Sequence, residues 1–330
     1  MDCVYTGVMN TTAVASLPLT VILDTSDIPL DNGGRVVLWV FTIIMCISII
    51  LNFGVIMACL YNRFSSPMLL YIALSSLADT CLGTVGVSCY LSAIVGLRHV
   101  ISFSECLFQI FCLYSASFQQ FLTTWLMYVD RHCAIFWPYS YVALIANKGG
   151  AVKLAIVVWS FGVFVSISFL VVATQLVFCD VAVVVKDAFC SISPVAKSAC
   201  GNAYFSIIYS ITAAYVVYGL TGLTALVSTW CIVQKCRNSS TEANMKALHT
   251  CFTQLFASVA QFIALFIMGG LKRFVHLPGA SFIMDLISVV TPAAVNPLIF
   301  GFRIQEIRET FIRISRQLRM KCSKTYTLSY

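Results

Sequence analysis

The stretch 104–137, SECLFQIFCLYSASFQQFLTTWLMYVDRHCAIFW, decides how the chain is read. Cys106 stands near one end, Asp130-Arg131-His132 near the other, and mostly apolar residues fill the interval. At a helical rise of about 1.5 Å per residue, Cys106 and Arg131 lie roughly 37 Å apart, more than a hydrocarbon core of about 30 Å. One helix can therefore present a disulfide-competent cysteine on one side of a membrane and an Asp-Arg pair on the other.

Composition agrees with a membrane setting. The 330 residues are 60% hydrophobic and 10% charged, with a mean hydropathy of +0.92, far outside the soluble globular range. Apolar runs fall at 36–60, 67–96, 104–129, 151–178, 203–233, 247–271 and 280–302. Each can hold about 20 residues in hydrocarbon. The runs are continuous and do not alternate at period two, which predicts helices and not barrel strands. The expected fold is all-α, a seven-helix transmembrane bundle over 36–302. A segment at 1–35 would precede it, and a short amphipathic eighth helix with a tail would follow at 303–330.

Lys and Arg set the expected sidedness. With the N-terminus outside, the cytoplasmic ends carry 14 of them: Arg63, Arg131, Lys148, Lys153, Lys235, Arg237, Lys246, Arg303, Arg308, Arg313, Arg316, Arg319, Lys321 and Lys324. Six lie outside: Arg35, Arg98, Lys186, Lys197, Lys272 and Arg273. The C-terminal tail contributes half of the first set. The net charge of +7 is thus an orientation signal toward membrane lipids. No basic stripe is interleaved with base-stacking aromatics, so nucleic acid is not an expected partner.

Fifteen cysteines sort by depth. Cys46, Cys59, Cys81, Cys89, Cys112, Cys231 and Cys251 fall within spans, where cysteine acts as a small apolar residue. Cys133, Cys236 and Cys322 would face a reducing cytosol, which leaves Cys3, Cys106, Cys179, Cys190 and Cys200 in oxidising space. From sequence alone their pairing is open. Residues 1–35 lack a basic n-region before an apolar core, so no cleaved signal peptide is expected and the first span would anchor the chain. Asn10-Thr11-Thr12 is the glycosylation sequon on the outer side. Asn238-Ser239-Ser240 fits the same pattern but would face the cytosol.

Polar residues inside the spans are expected to face the bundle. Asn52 and Asn296 are hydrogen-bonding groups deep in hydrocarbon, and Asp79 is an intramembrane carboxylate costing on the order of 3 kcal/mol. A neutral Asp79 bonded to Asn52 and Asn296 is the structural alternative to a functional one. No catalytic constellation is present: there is no Ser-His-Asp arrangement, no phosphate-cradling glycine loop and no carboxylate pair on one span. The four histidines show no pair at metal-ligand spacing. No enzyme, metal or cofactor is expected.

The segment MYVDRHCAIFWPYSY (127–141) resembles the Met-Ala-Tyr-Asp-Arg-Tyr-Val-Ala-Ile signature of the odorant receptors, a branch of the rhodopsin-like G-protein-coupled receptors, and of their fish members most of all. SPMLLYIALSSLADT (66–80), NMKALHTCFTQL (244–255) and SVVTPAAVNPLIFGFRIQEIRETFIRI (288–314) resemble family segments on the second, sixth and seventh helices. FCSISPVAKSACGN (189–202) resembles the fish odorant-receptor second outer loop. That resemblance implies Cys106 paired with Cys190 and Cys179 with Cys200, closing a lid, with Cys3 as the odd thiol.

The resemblance also implies function. A small, mostly apolar odorant would lie in the outer half of the bundle against Tyr114, Ser115, Ser117, Phe118, Tyr209, Ser210, Phe262 and Ile263. Leu113 stands where amine receptors place an aspartate, and Val290 where opsins place their lysine. Agonist would open the inner face, where Asp130, Arg131 and Lys246 would receive a heterotrimeric G protein of the olfactory stimulatory type, at the plasma membrane.

Four residues depart from the family pattern. His132, Thr229 and Phe300 replace tyrosines, and Gln120 replaces a glutamate beside the Asp79 pocket, which weakens any attraction for sodium. A signalling-poor binding or heteromer partner that keeps the fold is therefore the alternative. Beyond the last span, Phe302, Ile304, Ile307, Phe311, Ile314 and Leu318 recur at helical spacing among arginines, as in a helix lying on an anionic leaflet. Cys322 beyond it is a palmitoylation candidate.

Overall fold

A computed structural model describes residues 20–24, 32–95, 98–185, 187, 189–200, 203–238, ten positions between 245 and 263, and 280–327. Asn10, Lys246 and the side chain of Cys322 lie outside the described residues. In chain order the elements are β1 (Thr20–Asp24), α1 (Asn32–Tyr61), α2 (Pro67–Val95), β2 (Arg98–Ser102), α3 (Phe103–Phe136), α4 (Pro138–Leu144), α5 (Lys148–Thr174), β3 (Ala182–Val185), α6 (Ile192–Lys197), α7 (Tyr204–Asn238), α8 (Ala280–Arg303) and α9 (Gln305–Thr327). The spans of a seven-helix bundle are α1, α2, α3, α5, α7, a sixth segment and α8.

Four of these helices, Gly33–Tyr61, Pro67–Val95, Gly149–Thr174 and Tyr204–Arg237, are long and apolar enough to cross a membrane on composition alone. α3 is not among them because it carries the bundle's polar seam. Gln119, Gln120, Thr123 and Thr124 are all buried on it; the two glutamine amides donate to other helices, and the two threonine hydroxyls donate to main-chain carbonyls of α3 itself. The sixth segment shows the same inversion. Phe252, Phe256, Val259 and Ile263, at helical spacing, are exposed, while Ser258 and Gln261 between them are buried. Apolar residues face outward and polar residues inward, as a hydrocarbon solvent requires.

α3 is the hub. The Gln119 amide donates to the Trp159 carbonyl (2.8 Å) and the Trp159 indole returns a bond to the Thr123 hydroxyl (3.0 Å), tying α3 to α5. The Trp125 indole donates to the Thr224 hydroxyl of α7 (3.1 Å). Tyr128 and Ser258 share a hydroxyl hydrogen bond (3.1 Å) that reaches the sixth segment. A Ser102–Glu105 capping box starts α3, satisfying the free N–H groups at its N-terminus. Close approach to α5 is made at Gly162, where an added Cβ would stand 2.9 Å from the Gln119 amide.

One feature is absent from the sequence reading: a three-stranded sheet, ordered β2-β1-β3, at the disulfide end. β1 pairs antiparallel with β2, setting Ile22 opposite Val100, and parallel with β3, setting Ile22 opposite Val184. Thus the segment before the first span supplies the central strand. Val21 and Leu23 are buried beneath it while Thr20 and Ile22 are partly exposed, the period-two alternation of a half-covered strand.

At the opposite end α9 runs to Thr327, longer than a short terminal helix. Its Ile307 and Thr310 are buried, and the amide of Asn62, in the turn after α1, donates to the Thr310 hydroxyl (2.8 Å). Phe311 lies over Gly54 and Gly301, while Arg308, Arg313, Arg316 and Arg319 are exposed. One apolar edge docks on the bundle and the basic residues remain free for a charged surface.

Candidate functional site

The polar core joins three helices and the sixth segment. Asp79 accepts from the Gln120 amide through one carboxylate oxygen and from the Asn296 amide (2.9 Å) through the other. Gln261 in turn donates to the Asn296 carbonyl oxygen (3.3 Å). Asn52 does not bond Asp79, although the structural alternative of a neutral Asp79 held by both asparagines would have it do so. Its amide donates to the main-chain carbonyls of Ser48 (3.1 Å) and Ala293 (3.0 Å), and Ser48 bonds the same Ala293 carbonyl. The reason is local: Pro297 has no N–H to give that carbonyl, and Asn52 and Ser48 supply donors in its place. The neutral Gln120 amide then takes the carboxylate face that Asn52 leaves.

At the disulfide end, Cys106 is joined to Cys190 and Cys179 to Cys200. The Gln109 side chain accepts from the Cys190 N–H (3.1 Å) beside the first bridge. Between the second pair the chain forms β3 and then α6, whose Ile192, Val195 and Ala196 are buried. Ser198 closes the loop by donating to the Val184 carbonyl (2.7 Å). Together the bridged loop and the sheet roof this end of the bundle.

Below the roof lies a run of aromatic rings. Tyr114 is 4.5 Å from Phe169 and 6.3 Å from Phe118 between ring centroids. Phe118 continues to Tyr218 (6.2 Å), Tyr218 to Phe121 (4.3 Å) and Phe121 to Phe262 (5.9 Å). Tyr209 joins through Phe169 (5.6 Å) and shares a hydroxyl contact with Ser168. The structure thus brings Tyr114, Phe118, Tyr209 and Phe262 together. Ser115 and Ser117 are half-buried on α3, and Ser210 is buried with its hydroxyl donated to the Ile207 carbonyl (2.8 Å). Ile263 is not brought to the rings: it is 55% exposed, one residue round the helix from Phe262 on the lipid-facing stripe. Phe121, Phe169 and Tyr218 belong to the ring cluster and were missed, because an aromatic in an apolar run carries no sign of the face it occupies.

At the other end of α3, Asp130 is 3% exposed and accepts from the Tyr141 hydroxyl (2.9 Å) on α4. Burial, and then the Asp130 charge, push the Tyr141 phenol above its ordinary value, so it remains a donor at physiological pH. Arg131 extends to the Met68 sulfur, and its Nε has no partner. His132 stacks on Phe136 (4.6 Å) and meets the edge of Trp137 (5.5 Å). Thr229 is buried with its hydroxyl unpartnered, and Phe300 is buried in the apolar core. Among the described residues no cluster of three metal-ligating side chains occurs.

Comparison with known proteins agrees with this geometry. The olfactory receptor family matches residues 41–318. The chain is similar to olfactory receptor 4E2 of Mus musculus, 28% identical over 290 residues, covering 86% of this chain and 90% of the relative. It is also similar to the Homo sapiens olfactory receptors 52N4 (27% over 257 residues, 77% and 79% covered) and 51I1 (25% over 289 residues, 86% and 91% covered). With most of its length inside the family pattern and its polar seam, roof and Asp-Arg end in place, the chain is a multi-pass membrane protein of the rhodopsin-like G-protein-coupled receptors and belongs to the olfactory receptor family.

Proposed function

We propose that this chain is an odorant receptor of the plasma membrane, with its N-terminus and sheet extracellular, that binds a small, largely apolar ligand and activates a stimulatory G protein of the olfactory type. The observation that carries the reading is that one helix, α3, bears both Phe118 in the ring cluster and Arg131 at the far end, roughly 20 Å apart along the axis. Ligand would enter among Tyr114, Phe118, Tyr209 and Phe262, with Ser115, Ser117 and Ser210 offering hydroxyls at the edge. An apolar lining with few polar groups favours a weakly polar, neutral molecule.

The same rings supply the mechanism. Phe262 is on the sixth segment, whose other ties to the bundle include Tyr128–Ser258 and Gln261–Asn296. A ligand that displaces Phe262 favours the conformation in which those bonds are broken and the inner end opens. Arg131, with a guanidinium nitrogen unpartnered, then receives the C-terminal helix of a G-protein alpha subunit. Asp130 stays on Tyr141, and Lys246 adds positive charge. Asn10 outside would carry sugar. Olfactory receptors are not enzymes, and signal leaves the molecule through this conformational change alone.

The experiment is a cyclic-AMP reporter in cells expressing the full chain, challenged with an odorant panel, beside Phe118→Ala and Arg131→Ala. Expected are responses lost in both variants, with surface glycosylation at Asn10 intact. A second reading, a signalling-poor partner that keeps the fold, is favoured by Thr229 and Phe300, neither of which offers the phenolic hydroxyl that joins helices five and seven in the family. Silence to every odorant at normal surface expression would select it.

A further inference from the structure

Outside the sites described above, a groove of about 370 Å³ lies between α3 and α7, toward the Arg131 end. Val129, His132, Cys133 and Trp137 form one wall, and Leu223, Thr224, Val227 and Ser228 the other. It faces away from the helix axis: Leu223 is 61% exposed, Val227 51% and Trp137 57%. Leu223 and Val227 belong to the apolar span Tyr204–Arg237, so the wall they form opens to acyl chains. A concave apolar slot of this size holds the tail of an amphiphile and excludes nothing smaller.

What stands beyond the slot selects the headgroup. His132 lines the groove and stacks on Phe136, and Lys235 of α7 lies over the same ring, its Nζ 4.9 Å from the Phe136 centroid. Lys235 spends one N–H on the Ile135 carbonyl (2.5 Å), and an ammonium has two more. Arg237 is exposed two residues on, in the same last turn of α7. A slot open to acyl chains with a cationic rim one ring away matches one ligand chemistry by charge and shape.

We propose that the α3–α7 groove binds an anionic membrane phospholipid, its acyl chain along Val129, Leu223 and Val227 and its phosphate on Lys235. The occupant would touch His132 and Cys133, the two residues after Arg131, and so would favour whichever arrangement of the inner end keeps the groove open. This site is separate from the ring cluster and needs neither odorant nor G protein, so its failure and that of the receptor reading are told apart.

The test uses the full chain in phosphatidylcholine nanodiscs containing a trace of photoreactive phosphatidylserine or photoreactive phosphatidylcholine, each with a diazirine in the tail. After photolysis, labelled peptides are mapped. Expected is phosphatidylserine labelling of residues 129–137 and 223–228 roughly fivefold above phosphatidylcholine, the factor one lysine near a membrane surface supplies. Unlabelled phosphatidylserine should compete it away. Lys235→Gln should lower that excess to the phosphatidylcholine level, and Val227→Trp should abolish labelling there by either lipid. Equal labelling by both lipids on the unmutated chain, labels spread evenly around the bundle, or displacement by a sterol but not by phosphatidylserine would each overturn the proposal without reliance on a variant.

Discussion

The Tyr141 hydroxyl donates to the buried carboxylate of Asp130 at 2.9 Å, so the loop after α3 holds the acid of the Asp-Arg pair while Arg131 points to Met68. Tyr141 of α4 is the hydrogen-bond donor to this carboxylate, and the adjacent arginine acts on it by charge.

Removing that donor leaves a buried acceptor unsatisfied. Tyr141→Phe is expected to cost about 2 kcal/mol, in the range for hydrogen bonds to charged groups. Asp130→Asn keeps an acceptor for Tyr141 and should cost well under half as much. Thermal unfolding of both variants in detergent measures this. Equal losses would mean that the hydroxyl contributes nothing specific.

Gln120 supplies the second polar contact of note. Its amide donates to Asp79, which already accepts from Asn296, so a neutral group fills the face of the carboxylate that a cation would otherwise approach. Gln120→Glu places two acids side by side in a buried site, where a cation relieves their repulsion. The variant should melt roughly 2 °C or more higher in sodium chloride than in choline chloride at equal ionic strength, on the scale of about 1 kcal/mol. The unmutated chain should show no such difference. A variant indifferent to sodium would contradict the proposed role of the amide.

Helix packing gives a paired test. A Cβ at Gly162 would meet the Gln119 amide and Leu122 at 2.9 Å, whereas nothing lies within 4 Å of one at Gly219. Gly162→Ala should destabilise by about 2 kcal/mol through overpacking. Gly219→Ala should be neutral, or stabilising by up to about 1 kcal/mol, because alanine is the better helix former. Expression level and melting temperature of the two variants decide it.

The sheet makes a prediction of its own. β1 is the central strand, and proline in a central strand removes a ladder donor and clashes with its neighbours. The Thr20 N–H donates toward β3, and by period two the Ile22 N–H faces the same way, so Ile22→Pro should raise amide exchange in 182–185 by about tenfold, roughly one hydrogen bond's net worth, and in 98–102 by less. Hydrogen exchange read by mass spectrometry tests this. Unchanged exchange in 182–185 would contradict the pairing of β1 with β3.

The spans were legible because hydrocarbon demands long apolar runs, and the bundle's inner face was legible because Asn52, Asp79 and Asn296 had no reason to be in such runs otherwise. Partners within that face were not: Asn52 turns to the Ala293 carbonyl because Pro297 leaves it without a donor, a main-chain vacancy that sequence patterns do not rank above a carboxylate. The sheet was hidden for a different reason. TVILD, RHVIS and AVVV are too short to signal strands alone, and their pairing depends on loops that the two cysteine bridges bring together. Ile263 went astray by one position, which on a helix is about 100° and the difference between ring cluster and lipid.

The most direct measurement is guanine-nucleotide exchange on a purified olfactory-type stimulatory heterotrimer, with the full chain in nanodiscs, across an odorant panel. The account predicts that at least one small apolar odorant accelerates exchange, and that Arg131→Ala abolishes the acceleration while leaving odorant binding unchanged. Exchange that no odorant accelerates, or acceleration that survives Arg131→Ala, would contradict it.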